Sequence, residues 1–141
     1  MERRFPPRVG IGPAYASIGV PATPLLAGNS IDYSLGGFLK SDYSSAKPLI
    51  GDGDYADQYG KFKVPTLRNV ARSAPYGHNG VFPTLRDVVD FHNTRDVADW
   101  PDPEVEDNLN KDVGDMGLTS AQVDDVVAFL MSLTDDLQMG P

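Results

Sequence analysis

Thr119-Ser120-Ala121-Gln122-Val123-Asp124-Asp125-Val126-Val127-Ala128-Phe129-Leu130-Met131-Ser132-Leu133-Thr134 is the stretch whose reading decides the fold. Thr119 followed three residues later by Gln122 has the form of a capping box, in which each side chain accepts from the other's backbone N–H. Val123, Val126, Val127, Leu130 and Leu133 then recur at helical spacing, and Phe129 broadens the expected buried arc. A helix over 119–134 follows. Upstream, Thr84 predicts the N-cap of a second helix, with Leu85, Val88, Val89 and His92 at i, i+3, i+4 and i+7. His92 therefore shares a face with aliphatic side chains. Pro65 suits the first turn of a third, short helix through Leu67, Val70 and Ala71, ending near Ser73-Ala74-Pro75.

Around these helices the chain reads as loop. Residues 1–60 carry Gly or Pro every few positions, and stretches such as Ser34-Leu35-Gly36-Gly37-Phe38-Leu39 are too interrupted to read as helix. Scattered apolar residues, Tyr15, Ile18, Val20, Leu25, Leu26, Leu35 and Phe38 among them, make this segment an ordered, irregular wrap rather than a solvated tail. Residues 93–118 form a polar excursion with Pro101, Pro103 and several acids, holding at most a short helical turn near 104–109. No run alternates cleanly enough to predict a strand. The fold class is mostly α, with 1–60 a wrapping segment of the same domain as the helical region 61–141. Three modest helices bury little apolar surface for 141 residues, so a cofactor, a partner subunit or both are expected to complete the core.

Composition narrows the chemistry. Twelve Lys and Arg against twenty Asp and Glu give a net charge of −8, which argues against a protein that tracks nucleic-acid phosphates. The longest apolar runs are far short of a transmembrane helix. The charged start Met1-Glu2-Arg3-Arg4-Phe5 is followed by Pro6, Pro7 and Arg8 where a signal peptide would turn apolar, so no export signal is read. There is no cysteine, hence no disulfide, zinc-thiolate site, cysteine nucleophile or thioether-linked haem formed by these residues. Gly51-Asp52-Gly53-Asp54-Tyr55-Ala56-Asp57 offers carboxylates but lacks the bidentate Glu of a calcium loop, and reads as a solvated acidic turn.

The two histidines are the candidate chemical groups. His92 is either a core histidine whose ring nitrogens meet backbone groups or an imidazole facing a buried metal; the positions at i±3 and i±4 hold Val88, Val89, Arg95 and Asp96, with no second histidine or cysteine, which argues against a protein-only zinc site. His78 lies in the turn Ala74-Pro75-Tyr76-Gly77-His78-Asn79-Gly80, where a loop histidine bonded to nearby backbone is the plain reading.

The run Gly60-Lys61-Phe62-Lys63-Val64-Pro65-Thr66-Leu67-Arg68-Asn69-Val70-Ala71, then Ala74 to Gly80, Thr84-Leu85 and the closing helix, resembles the carboxy-terminal haem domain of the bacterial di-haem cytochrome c peroxidases and their MauG relatives. Tyr15 to Pro21 and Leu35 to Leu39 resemble that domain's linking segments. The resemblance implies a cytochrome c-like fold serving electron transfer to a peroxide-reactive haem, outside the cytoplasmic membrane, in the periplasm. In that family each haem is bound through Cys-x-x-Cys-His. The present sequence starts about where the second such motif ends, so haem c is expected to be attached to another, haem-bearing chain.

The same resemblance implies roles for individual residues. His92 stands fourteen positions after His78, where the family has the second axial ligand of the haem iron, Met in the peroxidases and Tyr in MauG-like proteins. Imidazole there is expected to lower the haem potential relative to thioether. Arg68 matches an arginine able to pair with a haem propionate, a surface salt bridge being the alternative. Pro65 and His78 fall in the cofactor-binding segments, and the backbone carbonyls of Ser73 and Pro75 match positions that hold a calcium ion. An electron-donor protein is a further expected partner. The competing reading is a cytochrome-derived interaction subunit that has lost its haem, with His92 an ordinary buried histidine.

Overall fold

A computed structural model describes residues 15–24, 28, 30–41 and 55–135. The charged opening at 1–8, Leu25 and Leu26 of the wrap, and Gly51 to Asp54 of the acidic turn lie outside the described residues. Strand β1 (Tyr15–Ala16) pairs antiparallel with β2 (Phe62–Lys63), Tyr15 opposite Lys63 and Ala16 opposite Phe62. Helix α1 covers Ser34–Lys40, α2 Leu85–Thr94 and α3 Ser120–Ser132, with 3-10 turns at Ala56–Gln58 and Val70–Arg72. The fold is mostly helical with long loops, as expected. Two-residue strands are too short to leave a periodic signal in the sequence.

Helices α2 and α3 begin where their side chains cap them. Thr84 accepts from the N–H of Asp87 while the Asp87 carboxylate accepts from the N–H of Thr84, and Thr119 and Gln122 repeat the exchange on α3. Each box satisfies two amide hydrogens that the first helical turn leaves without partners. The helices pack on one another. Buried Asn93 fastens the end of α2 to the start of α3, its amide donating to the Leu118 carbonyl (3.0 Å) and accepting from the Leu118 N–H (2.9 Å). Behind α2, Val20, Phe82 and Phe91 form the core, with Trp100 edge-on to Phe91 at 5.3 Å between centroids. Burying a ring such as Phe91 contributes about 1.5–3 kcal/mol.

Three expectations are corrected. Pro65 does not open a helix: 64–67 runs without regular structure, and only the 3-10 turn Val70–Arg72 follows. Asn69 explains this, since it adopts a left-handed φ of 58° and gives its N–H to the Leu133 carbonyl at the end of α3 (2.9 Å), diverting it from a helical ladder. Conversely, the glycine-interrupted stretch at 34 is helical. A side chain at Gly36 would run into the ring and backbone of Tyr59, so this glycine permits α1 to sit close against the 56–58 turn. Finally, Val126 and Phe129 of α3 are 36 % and 59 % exposed, not part of a buried arc; α3 buries Val123 and leaves that flank uncovered.

The loops are held by Arg95, just past α2, whose side chain is only 6 % exposed. Its guanidinium donates to the carbonyls of Ile18 (3.1 Å), Asn110 (3.0 Å) and Val113 (3.0 Å) and forks onto both carboxylate oxygens of Asp96 (2.7 and 2.8 Å). The Arg95 hydrogen bond, reinforced by its charge, holds the Asp96 carboxyl below the usual carboxylate range against a smaller opposing effect of desolvation. Arg95→Ala is expected to cost about 2–4 kcal/mol, because three carbonyls lose a charged donor together, read as a lower urea midpoint. Since the folded pKa of Asp96 is depressed, its share is present above the ordinary carboxylate range and lost as pH falls through the folded value.

Candidate functional site

A cleft of about 640 Å³ opens between residues 16–20, the 62–78 segment and the facing sides of α2 and α3. Its walls are chiefly aliphatic: Ile18 and Val20 from the wrap, Val64, Leu67 and Val70 from the 62–78 segment, Leu85 and Val88 from α2, and Leu130 from α3. The volume lies within the range of roughly 300–1,000 Å³ usual for cofactor pockets, and the lining is of the usual kind. Five of the six residues singled out from the sequence, Pro65, Ser73, Pro75, His78 and His92, come together in this lining.

His92 is half-buried on the α2 face turned toward the cleft. Its Nδ1 lies 2.8 Å from the Val88 carbonyl one turn back. A carbonyl only accepts, so Nδ1 carries the hydrogen and Nε2 of the neutral ring keeps its lone pair. Helical i−4 geometry thus sets the tautomer, and Nε2 has no partner among the described residues. An imidazole fixed through one nitrogen with the other left as a base is the arrangement of a metal-binding histidine.

His78 is less of a plain loop histidine than the turn sequence suggests. Its Nε2 meets Glu104 Oε2 at 2.8 Å, and its ring stacks on Phe62 at 4.1 Å and 17°. Glu104 was not legible as a site residue, because it comes from the acidic excursion 26 positions away. The excursion is brought here by bridges from Pro103 to Pro21 and from Leu109 to Ser17 and by the Glu104 N–H donating to Val20 (3.0 Å).

Arg68 stands apart from the cleft. It pairs with Asp135 at 2.8 Å in an open groove with Thr66, Leu67, Ser132 and Leu133, and its side chain is 73 % exposed. Thr66 and Leu67 border both the groove and the cleft. Among the described residues no group of three or more His, Asp or Glu side chains is disposed to hold a metal ion, and no helix is long and apolar enough to cross a membrane. A flat, largely apolar cofactor such as haem fits this lining.

No family model matches the sequence. Among curated proteins, the chain is 38 % identical to the methylamine utilization protein MauG of Paracoccus denitrificans over 138 residues, covering 86 % of this chain and 33 % of that protein. It is 31 % identical over 129 residues to the cytochrome-c peroxidase IdrP2 of Pseudomonas sp. (strain SCT), covering 84 % and 31 %. The crystal structure of the diheme peroxidase BthA from Burkholderia thailandensis superposes with a TM-score of 0.64 at 30 % identity, over 86 % of this chain and 33 % of that one. A MauG-like protein associated with microbial copper homeostasis gives 0.54 at 27 % identity, over 95 % and 35 %. The chain has the mostly helical, cytochrome c-like fold of the diheme peroxidases. It is a homologue of part of MauG and the di-haem cytochrome c peroxidases, spanning about a third of the length of the relatives it matches, which is consistent with a fragment of that family.

The Arg68–Asp135 pair is exposed, so Arg68→Gln is expected to change stability by no more than about 1 kcal/mol in chemical denaturation.

Proposed function

We propose that this chain forms one wall of a c-type haem site in a MauG-like or di-haem peroxidase-like oxidoreductase, the haem being attached through Cys-x-x-Cys-His on another polypeptide, and that it takes part in electron transfer. The observation that carries the reading is His92: an imidazole in an aliphatic cleft, its Nδ1 bonded to the Val88 carbonyl and its Nε2 without a partner among the described residues. Haem held there supplies a one-electron redox centre. His92 would hold the haem iron through Nε2, which the Val88 carbonyl orients, and Pro65 with the neighbouring aliphatic side chains would exclude water from the cleft. His78 closes the wall on the Phe62 side. Arg68 would offer its guanidinium to a haem carboxylate in place of Asp135 across the Thr66–Leu67 border. The carbonyls of Ser73 and Pro75 would offer oxygen donors to a calcium ion, as such donors suit that cation.

The uncovered flank of α3, with Val126 and Phe129 exposed, supports a haem-bearing partner chain that buries it. A periplasmic setting and exchange of electrons with a donor protein belong to the same reading, and the chain alone is expected to have no peroxidase activity. The complete absence of cysteine favours one competing reading, a haem-less interaction subunit derived from a cytochrome.

An absorption spectrum of the chain isolated with its binding partners separates the two. A Soret band with sharp α and β bands on reduction is expected, and an apo monomer that purifies without any haem protein would overturn the assignment. His92→Met is expected to raise the haem midpoint potential by replacing imidazole with the weaker thioether donor, and to leave it unchanged if His92 merely packs.

A further inference from the structure

Resting on the haem-wall reading, we propose that His78 and Glu104 form a proton-uptake pair that couples protonation of the cleft wall to the redox state of the group held there. The pair is built, not incidental. Both side chains are only 16 % exposed, and the ring is fixed between Phe62, stacked at 4.1 Å, and the carboxylate at 2.8 Å. Glu104 is itself held on three sides: one oxygen on His78, the other accepting the Asp32 N–H (3.3 Å), and its own N–H on Val20. Both oxygens are thus engaged. With the carboxylate accepting from Nε2–H, the neutral ring keeps its lone pair on Nδ1, which has no partner among the described residues. A base oriented by a carboxylate, in the wall of an apolar cleft, is the arrangement that general acid–base pairs use.

The charged and titratable groups around His78 define its response. Glu104 faces it from the excursion, and Asp102 and Glu106 beside Glu104 are exposed. Asp32 lines the cleft with its carboxylate engaged by the Ser34 N–H (2.7 Å). Lys63 follows Phe62 on β2, the Tyr76 hydroxyl donates to the Val70 carbonyl, and His92 lies on α2. If an external one-electron donor reduced the group held in the cleft, Nδ1 of His78 would take up one proton from the buffered bulk solvent. Glu104 stays ionised and stabilises the imidazolium, whose positive charge offsets the added negative charge in a medium of low dielectric. Oxidation releases the electron and the proton together. Glu104 is a positioning residue here, acting through His78.

The experiment is a spectroelectrochemical titration of the haem-loaded assembly between about pH 5 and 8, where imidazole changes charge. In the native protein the equilibrium constant for reduction is expected to fall by up to tenfold per pH unit across the imidazole titration, about 59 mV for a one-electron couple. His78→Asn is expected to flatten this slope while the Soret and α bands persist. Glu104→Gln keeps the shape and a hydrogen bond but removes the charge that would stabilise the imidazolium, and is expected to weaken the slope; it also gives the answer if the His78 variant does not assemble. Slopes unchanged in the variants overturn the proposal and point to the haem's own carboxylates, with the haem-wall reading intact. A protein with no Soret band overturns that reading, and the proton coupling falls with it. A simple loop staple would alter the denaturation midpoint and leave the potential's pH dependence unmoved.

Discussion

One nearly buried guanidinium organises what surrounds the cleft. Arg95 leaves the end of α2 and binds carbonyls of three loop positions, Ile18, Asn110 and Val113, while Asp96 neutralises it. Those loops have no ladder of their own to satisfy their backbone groups, and a buried carbonyl without a donor is costly. The arginine converts two irregular segments into a fixed surface against a helix. Ile18 and its neighbours become one side of the cleft, and the excursion is carried close enough for Glu104 to meet His78. Cleft and helix are thus positioned by the same group.

The parts of the molecule that were legible in advance are those whose causes are local. Thr84 and Thr119 mark their helices because a capping box is complete within four residues, and the i, i+3, i+4, i+7 phase of Leu85, Val88, Val89 and His92 put the imidazole on the inward side of α2. What stayed hidden depends on distant residues. Asn69 leaves the helical region because a carbonyl 64 positions on takes its N–H. Gly36 is tolerated in α1 because Tyr59 needs the space. Phe129 has the period of a core residue, but periodicity identifies a face without saying what covers it. Glu104 looked like one acid among many, and only the fold reveals that it alone of its neighbours turns inward to a histidine.

The two histidines illustrate how one side chain acquires different properties from its anchor. A backbone carbonyl holds His92 and leaves a neutral donor nitrogen, suited to a metal that prefers uncharged imidazole. A carboxylate holds His78 through Nε2 and leaves the other ring nitrogen as the site for proton exchange. Placing both in the lining of one apolar cleft separates ligand chemistry from acid–base chemistry.

Trp100 adds a practical property to this arrangement. It is the sole indole of the chain, hydrogen-bonded through Nε1 to Thr94 and edge-on to Phe91, the residue immediately before His92. Its fluorescence therefore originates from one known place behind the cleft wall. A strongly absorbing macrocycle entering the cleft would drain that emission by energy transfer, giving the molecule a built-in optical gauge of occupancy that needs no label.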